Sequence, residues 1–113
     1  MINVAALSEV VLSNEQPVEY FEINTQAVLK LCNHLRTRDY LERYVHISSA
    51  EIFGSCEGGA NEETLFNPST PYAVSKAAAD LYLNTLQSNF QFPVTIIRST
   101  NVYGKHQQLF KII

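Results

Sequence analysis

The sequence predicts an α/β fold, a doubly wound parallel sheet with helices on both faces. Two observations support this prediction. Short runs of apolar and β-branched residues alternate with longer runs of helical period, in the order strand, helix, strand, helix, strand. Parallel strands in that order need right-handed crossover helices, and such sheets are usually covered on both faces. No internal repeat or low-complexity segment interrupts the pattern.

The first strand and the first helix are predicted within residues 1–36. The run MINVAAL, residues 1–7, is short and apolar and predicts a strand. Helical period then extends from Val18 to about Arg36. Four apolar residues share one face of that helix: Phe21, Val28, Leu31 and Leu35. This spacing predicts an amphipathic helix that packs on the sheet.

The remaining elements begin at residue 43. Residues 43–49, RYVHISS, predict a second strand, and the glycine-containing residues 50–70 predict a long loop, which in a compact domain is more often functional than idle. Thr70 as N-cap and Pro71 at the first position predict the start of a second helix. Residues 92–100, FPVTIIRST, predict a third strand, after which the chain turns and begins a last helix.

The composition fits one globular unit and excludes several functions. The chain has 113 residues, of which 46% are hydrophobic and 17% are charged, and its formal net charge is −3. That charge gives no reason to expect a nucleic acid or an anionic membrane surface as partner. No apolar run approaches the roughly 20 residues that span a bilayer, and no signal-peptide pattern is present, so we expect a cytoplasmic protein. Cys32 and Cys56 lack metal-ligand spacing and are expected to be free thiols, Cys32 in the core.

Polar residues gather where the three predicted strands end. The carboxyl ends read AALS at residues 5–8, SSAE at residues 48–51 and RSTN at residues 98–101. In an open parallel sheet these ends lie along one edge, which is where ligands bind. Polar residues also mark ordinary strand ends, so one such end would indicate little. Three together predict a site.

A lysine on a buried helix face is the second sign of a site. Four residues follow one another at helical spacing: Tyr72, Lys76, Ala79 and Leu83. Lys76 therefore shares a face with residues suited to a core, and a buried ammonium is costly unless it is paired. A cation one helical turn away favours the phenolate form of a tyrosine, which can then act as a general acid–base. An exposed Tyr–Lys pair is the alternative that so short a motif leaves open.

Asn24 places a polar amide on the apolar face of the first helix. It lies three residues after Phe21 and four before Val28, which puts it on the predicted buried stripe. A buried amide without partners costs roughly 1–3 kcal/mol, so we expect Asn24 to hold a specific group. A bond to a nearby backbone carbonyl would satisfy it as well, and both alternatives stay open.

Five blocks spread over the whole chain resemble one enzyme family, in the same order. They are INVAALSEV, INTQAVLKLC, YVHISSAEIFG, NPSTPYAVSKAAADLYL and IIRSTNVYG. With Ser49, Tyr72 and Lys76 in these blocks, the chain resembles an extended short-chain dehydrogenase/reductase, specifically an NAD-dependent nucleotide-sugar epimerase/dehydratase similar to dTDP-glucose 4,6-dehydratases. The resemblance implies a Rossmann-type sheet, NAD as cofactor, a nucleotide-sugar substrate and a homodimeric full-length enzyme.

The resemblance also implies that residues 1–113 are the central-to-C-terminal part of an NAD-binding Rossmann domain. The family binds NAD through a Gly-x-x-Gly-x-x-Gly turn at a helix N-terminus, and the glycines of this chain do not form that arrangement. The substrate-binding part that follows in the family is missing as well. We therefore expect a central fragment of a longer enzyme, inactive when isolated.

Four residues receive catalytic roles from the resemblance. Tyr72 would be the base toward a sugar hydroxyl, and Lys76 would promote its ionisation and bond the nicotinamide ribose. Ser49 would hydrogen-bond the same substrate hydroxyl, and Asn24 would support the lysine through water. The shared reaction is removal of a hydride from C4 of the hexose to NAD, which leaves a 4-keto sugar.

Other residues are expected to contact the two ligands. By the same resemblance, Ala5, Ala6 and Ser48 lie against the cofactor, together with Tyr72 and Lys76. Asn101 is expected near the diphosphate of the sugar nucleotide. No residue is expected to bind a metal.

Glu51 distinguishes the subfamilies that the resemblance covers. In 4,6-dehydratases a glutamate at this place removes the C5 proton, and water then leaves from C6. Dehydratases of the dTDP-glucose type have an aspartate just before it, where this chain has Ala50, whereas GDP-mannose-type dehydratases have a small hydroxyl residue there. A 4-epimerase needs neither acid, and Glu51 would then be a solvated loop carboxylate. A 4,6-dehydratase is the prediction, with a 4-epimerase and a non-catalytic remnant unable to bind NAD as alternatives.

Overall fold

A parallel sheet of three strands forms the centre of the structure, which is a computed structural model that describes residues 1–56 and 58–106. The strands are β1 (Ile2–Asn3), β2 (Tyr44–Ser49) and β3 (Val94–Ser99), in the spatial order β1-β2-β3. β2 and β3 pair along their full length, from Tyr44 opposite Val94 to Ser49 opposite Ser99. The second and third predicted strands are therefore confirmed, with slightly shorter ends.

β1 is much shorter than the predicted strand of residues 1–7. It pairs with β2 only where Ile2 lies opposite Val45 and Asn3 opposite His46. Beyond Asn3, side chains bond the backbone instead: Asn3 Oδ1 accepts a hydrogen bond from Ala5 N, and the N–H and C=O of Leu7 both bond to a single amide side chain. Such side-chain bonds compete with a strand ladder, which explains the early end of β1.

The first helical region runs from residue 17 to residue 35 with a π segment in its middle. Its parts are α1 (Pro17–Phe21), the π segment (Glu22–Gln26) and α2 (Ala27–Leu35). A π turn contains more residues than an α turn, so it shifts the phase of the helix. The aromatic residue on the face of Val28 is therefore Tyr20, which is buried, whereas the predicted Phe21 is only half-buried. The prediction of one regular α-helix is wrong in this respect.

The long helix α3 (Pro71–Phe90) begins as the sequence predicts. Thr70 is the N-cap, its hydroxyl accepts a hydrogen bond from Ala73 N at 3.2 Å, and Pro71 occupies the first helical position. The helix ends at Gln91, which adopts the left-handed conformation with φ of 54° and donates its N–H to the last turn. With 20 residues, α3 spans about 30 Å and so is longer than the six-residue strands β2 and β3.

Helices α2 and α3 pack on the same face of the sheet. Right-handed crossovers between strands in the order β1-β2-β3 place both helices on one side. The fold class, α/β with a parallel sheet, is confirmed. The described residues supply helices for one face only, and the other face presents Ile97, which is 45% exposed. One apolar core joins the two helices to the sheet: Val28, Cys32, Leu35, Tyr44, Ala79, Leu83, Leu86, Phe92 and Val94.

The loop predicted at residues 50–70 begins with a short 3-10 helix (Ala50–Phe53) and is closed at its base. Asn67 N donates a hydrogen bond to Ile52 O at 2.9 Å. Gly54 has a φ of 62°, and a Cβ added there would lie 2.2 Å from Asn67 O. Only glycine fits this close approach, so Gly54 fixes where the loop returns to the turn that starts it.

Three other expectations concern the cysteines, the last predicted helix and membrane-spanning segments. Cys32 is buried, Cys56 is exposed, and both are free thiols. The last predicted helix falls on residues 107–113, outside the described part of the chain. Among the helices that are described, none has the length and apolar character needed to cross a membrane.

Candidate active site

The amino-terminal half of α3 lies beside the carboxyl ends of β2 and β3. α3 runs antiparallel to the strands, so its first turns reach the edge where parallel sheets bind ligands. The π segment and the 3-10 helix that follows β2 also contact these turns. Most of the site residues predicted from the sequence therefore lie on elements that meet at one edge of the sheet.

Lys76 is buried, with 2% of its surface exposed, as the sequence predicts. Its Nζ donates a hydrogen bond to Ile47 O at 2.6 Å. Burial lowers the pKa of the Lys76 ammonium, while the negative charge of Asp80, one helical turn further on, acts in the opposite direction. Because an ammonium has three N–H donors and the bond to Ile47 uses one, Lys76 can bind further acceptors.

Tyr72 lies in the first turn of α3, one helical turn before Lys76. Its side chain is half-buried, and its ring meets that of Tyr20 edge to face, with the ring centroids 6.3 Å apart. Aromatic pairs favour such defined arrangements, so the buried Tyr20 ring restrains Tyr72. An exposed Tyr–Lys pair is excluded, because Lys76 points into the protein.

Asn24 connects three parts of the chain and is 1% exposed. Its Oδ1 accepts a hydrogen bond from Leu7 N at 2.9 Å, and its Nδ2 donates to Leu7 O at 3.0 Å and to Ser75 Oγ at 3.1 Å. Bonds to the backbone were the simpler of the two alternatives, and the bond to Ser75 adds a link to α3. Both Nδ2 hydrogens are used, so any support of Lys76 through water would rely on the second lone pair of Oδ1. That water link stays a prediction.

Ser75 and Thr25 strengthen the same link, and the sequence reasoning missed both. Ser75 is buried and its hydroxyl donates to Tyr72 O at 2.7 Å, while Thr25 Oγ1 donates to Ser75 O at 2.8 Å. The π segment is thus tied to the turn between Tyr72 and Lys76. The sequence offered one sign of this link, which is that Ser75 directly precedes Lys76, the lysine predicted to be buried.

Ser49 and Glu51 lie at the end of β2, where the 3-10 helix begins. Ser49 is the N-cap, and its Oγ accepts a hydrogen bond from Glu51 N at 3.2 Å. The Ser49 side chain is buried, whereas Glu51 is exposed. Since the Ser49 oxygen is held as an acceptor, its O–H is oriented toward other groups and can donate to a ligand.

The other predicted contact residues lie at different depths. Ala5 and Ala6 are exposed just beyond β1, and Asn101 is exposed just beyond β3, so all three border the ligand edge. Ser48 is buried instead, on the face of β2 that packs against α3. Its predicted contact with the cofactor stays untested, and its position is inside the fold.

A buried charged cluster below the site was not predicted. Asp80 is fully buried, Arg98 Nε donates to Asp80 Oδ2 at 2.9 Å, and His46 Nε2 lies 4.0 Å from Asp80 Oδ1. Burial, followed by the charge of Lys76, lowers the pKa of His46 to about 4, so the imidazole is neutral near pH 7. In the sequence, Asp80 continued the i, i+4 row of Tyr72 and Lys76, which was the one available signal.

These positions suit proton exchange with a ligand at the sheet edge. The phenol of Tyr72 and the buried cation of Lys76 come from α3, the hydroxyl of Ser49 comes from the end of β2, and each is held by hydrogen bonds or ring contacts. Within residues 1–56 and 58–106, no group of three or more His, Cys, Asp or Glu side chains could hold a metal ion. A phenol one helical turn from a buried ammonium, with a hydroxyl donor at the same edge, supports acid–base chemistry.

Residues 1–111 match the NAD dependent epimerase/dehydratase family, and the chain belongs to that family. Among characterised relatives, it is 33% identical over 114 residues to the dTDP-D-glucose 4,6-dehydratase of Mus musculus, covering 100% of this chain and 32% of the relative. The chain thus spans about a third of the length of such relatives.

Solved structures of two activities resemble the chain. The dTDP-glucose 4,6-dehydratase DesIV of Streptomyces venezuelae, which has NAD bound, is 32% identical, with a TM-score of 0.90 over 99% of this chain and 35% of that protein. The UDP-glucuronic acid 4-epimerase of Bacillus cereus, in complex with UDP-glucuronic acid and NAD, is 27% identical, with a TM-score of 0.88 over 96% of this chain and 34% of that protein. Dehydratases and epimerases are thus similar to this chain to nearly the same degree.

Proposed function

We propose that this chain is the catalytic segment of a longer NAD-dependent nucleotide-sugar 4,6-dehydratase. The observation that supports this most directly is the buried Lys76 one turn after Tyr72, beside the strand end that carries Ser49 and Glu51. Membership of an NAD-dependent family and similarity to dehydratases from several organisms agree with it. The proposed substrate is a hexose linked to a nucleoside diphosphate.

In the proposed first step, Tyr72 takes the proton of the C4 hydroxyl while C4 becomes a ketone. The Lys76 ammonium favours the phenolate that this step needs. Ser49 donates a hydrogen bond to the same hydroxyl, which its contact with Glu51 N leaves it free to do. The Tyr20 ring and the Asn24–Ser75 bond restrain the turn that holds Tyr72 and Lys76.

NAD, when bound, would accept the hydride from C4 and deliver it to C6 at the end of the reaction. The residues present fit part of its site. Lys76 has N–H donors beyond the one bound to Ile47 O, which suits the hydroxyls of a ribose, and the small exposed Ala5 and Ala6 border the same edge. The glycine turn that would bind the pyrophosphate is not among these 113 residues, so that part of the site belongs to the proposed remainder of the enzyme.

Glu51 is the residue proposed to make the enzyme a dehydratase. A ketone at C4 acidifies the C5 proton, and Glu51 is an acidic side chain two residues after the buried Ser49. Its carboxylate would take this proton while the C6–O bond breaks, and the departing hydroxyl would leave as water with a proton from solvent, because Ala50 has none to give. Its exposure to the ligand edge agrees with that role.

A 4-epimerase is the second candidate, and a specific observation favours it. Ala50 replaces the acid that would protonate the leaving hydroxyl, and epimerases resemble the chain closely in structure. In an epimerase, Tyr72, Lys76 and Ser49 keep their roles and Glu51 has none. A non-catalytic remnant is the third candidate, and a full-length protein that does not bind NAD in a calorimetric titration would favour it.

Solvent deuterium distinguishes the two enzymes. The full-length protein is incubated with nucleotide sugar in D₂O, and mass spectrometry locates deuterium in the product. We expect deuterium at C5 for the wild type. For Glu51→Gln we expect reduced NAD to appear while C5 exchange and water loss stop, because the substitution keeps the size and removes the base.

The matched control is Glu62→Gln, which changes an exposed acid in the same loop and should leave product formation unchanged. A product with inverted C4 and no deuterium at C5 would reject dehydration in favour of the epimerase.

A further inference from the structure

The buried carboxylate of Asp80 has no role in the reaction proposed above. It is fully buried on the sheet side of α3, one helical turn after Lys76. A carboxylate removed from water is costly unless it is paired and hydrogen-bonded. One oxygen meets this need, because Arg98 Nε donates to Oδ2 at 2.9 Å and Arg98 is itself only 17% exposed. A buried ion pair of this kind often stabilises a protein no more than apolar side chains of the same volume would, so stability alone does not explain it.

The second oxygen of Asp80 faces neutral groups. Oδ1 lies 4.0 Å from His46 Nε2, and no atom of the described chain gives it a hydrogen bond of good geometry. Burial raises the pKa of the Asp80 carboxyl, and Arg98, the Ser48 hydroxyl and the charge of Lys76 oppose that rise, although Ser48 and Asp80 are not aligned as a hydrogen bond. The cations near Asp80 are therefore Arg98, which is bonded to it, and Lys76, which is one turn away.

Lys76 depends on this carboxylate more than Arg98 does. Burial favours the uncharged amine of Lys76, and the negative charge of Asp80 opposes that effect on its pKa. A guanidinium keeps its proton in proteins, so Lys76 is the cation whose pKa would fall further if Asp80 were lost. Tyr72 precedes Lys76 by one turn of the same helix, and His46 and Ser48 on β2 and Arg98 on β3 lie near Asp80.

Arg98 also contacts the turn that carries Ser49 and Glu51. The guanidinium carbon lies 5.1 Å from the ring centroid of Phe66 and 5.7 Å from that of Phe53, and the two rings meet edge to face. Phe53 ends the 3-10 helix that Ser49 caps. The planar guanidinium thus joins α3 to this turn by a charge-assisted bond on one side and by ring contacts on the other.

We propose that Asp80 and Arg98 are positioning residues of the candidate active site. Asp80 favours the ammonium form of Lys76, and Arg98 holds the turn of Ser49 and Glu51 against the same carboxylate. The catalytic meaning of the pair rests on the proposed function, but the charge on Lys76 and the order of the turn are measurable without turnover.

The charge on Lys76 is measured in the 113-residue chain by carbon NMR. The chain has four lysines, so labelling lysine at Cε gives few signals, and the one absent from Lys76→Met belongs to Lys76. We expect Asp80→Asn to lower the pH midpoint of this signal by about one unit or more, and Asp39→Asn, which changes an exposed carboxylate, to leave it unchanged. A midpoint that stays the same or rises in Asp80→Asn overturns the proposal. A rise would mean that looser packing has exposed Lys76 and moved its pKa toward that of a lysine in water.

If Asp80→Asn does not fold, two Arg98 variants decide the matter. Arg98→Gln removes a cation next to Asp80 and should raise the Lys76 midpoint, whereas Arg98→Lys keeps the cation and should not. Equal rises in both variants would indicate loosened packing and overturn the charge role.

The contact with the turn is tested by hydrogen exchange of the amides of residues 50–53. Arg98→Lys keeps the charge but loses the planar contacts with two rings, so we expect exchange there to become about tenfold faster, as for a turn that opens more readily. Arg36→Lys is the matched control, since Arg36 lies over the Phe90 ring at 4.6 Å on the surface. Unchanged exchange in Arg98→Lys would overturn this part.

Activity of the full-length enzyme separates the pair from the proposed function. Asp80→Asn should move the alkaline side of the pH–rate profile down by the same amount as the NMR midpoint, with little change in KM, and Asp80→Glu should restore part of it. A wild type without turnover on nucleotide sugars would refute the proposed function, while the NMR result still decides whether Asp80 controls Lys76.

Discussion

The two halves of helix α3 pack against the same sheet but bury different chemistry. The first half buries Ser75, Lys76 and Asp80, whereas the second half buries Leu83 and Leu86. The polar half lies beside the carboxyl ends of the strands, and the apolar half joins the main core near their amino ends. Position along the strands, rather than helix propensity, therefore decides where this helix stabilises the fold and where it contributes to a site.

The polar half is held by specific bonds instead of general packing. Lys76 reaches Ile47 O, Ser75 reaches Asn24, and Asp80 reaches Arg98. Each of these bonds connects α3 to a different element, so the orientation of the helix is defined beside the candidate site. Apolar contacts in the second half are less directional and tolerate small shifts more easily.

The largest difference between the halves is expected from two tyrosines. Tyr72→Phe in the full-length enzyme should reduce turnover by roughly 10²–10⁴, the usual contribution of a positioned acid–base, while NAD binding stays nearly intact. The matched control is Tyr82→Phe, which removes a hydroxyl in the apolar half and should change turnover little. Steady-state kinetics measure both, and near-normal turnover of Tyr72→Phe would remove the main distinction between the halves.

The apolar half is tested by a cavity. Leu83→Ala removes a fully buried side chain and should reduce the free energy of unfolding by about 2–5 kcal/mol in urea titrations of the chain. Leu81→Ala, two positions earlier and 56% exposed, should cost far less. Turnover per folded molecule of the full-length enzyme should be retained in Leu83→Ala. A loss like that of Tyr72→Phe would show that the halves are not separate.

Acid should destabilise the fold through His46, which lies on β2 beside Asp80 in the polar half of α3. Its folded pKa of about 4 lies below the ordinary 6.5, so the unfolded chain binds the proton first, and stability is lost as pH falls from about 6.5 to 4. The full loss is as much as about 3 kcal/mol. The raised pKa of buried Asp80 acts in the opposite direction. Around His46 lie the Tyr44 ring on β2, stacked with the imidazole at 6.2 Å between centroids, and the Asp80 carboxyl and Lys76 ammonium on α3.

The His46 effect is isolated by comparing slopes. Denaturant unfolding at pH values from 4 to 8 should show a flatter pH dependence for His46→Gln than for the wild type. His34→Gln changes an exposed imidazole on α2 and should keep the wild-type slope. Parallel curves for wild type and His46→Gln would contradict the prediction.

The smallest effect is expected at the start of α3. Thr70→Ala removes the side chain that accepts a hydrogen bond from Ala73 N and should cost about 1 kcal/mol of unfolding free energy. Ser69→Ala, at the exposed neighbouring position, should be nearly neutral. Thermal denaturation of the three chains measures the difference. An equal shift for both variants would mean that Thr70 does not act as the cap.

Local rules predicted α3 and two strands correctly because their signals lie within a few residues. A cap, a proline at the first helical position and a row of small residues specify α3, and β-branched runs specify β2 and β3. The same rules failed at β1 and at the π segment. There the backbone of Leu7 bonds to Asn24, 17 positions later, and the local pattern of residues does not predict a partner so far along the chain.

By itself, the sequence determined the α/β class, the family blocks and the placing of Ser49, Glu51, Tyr72 and Lys76 near one sheet edge. Tertiary structure alone decided that Ser48 lies inside the fold, that Tyr20 rather than Phe21 is the buried aromatic residue of the first helix, and that Asp80 bonds Arg98 below Lys76. The physical reason is the distance along the chain over which each kind of interaction acts. Helix and strand periods act over one or two turns, whereas the partner of a buried charge is chosen by whichever element packs against it.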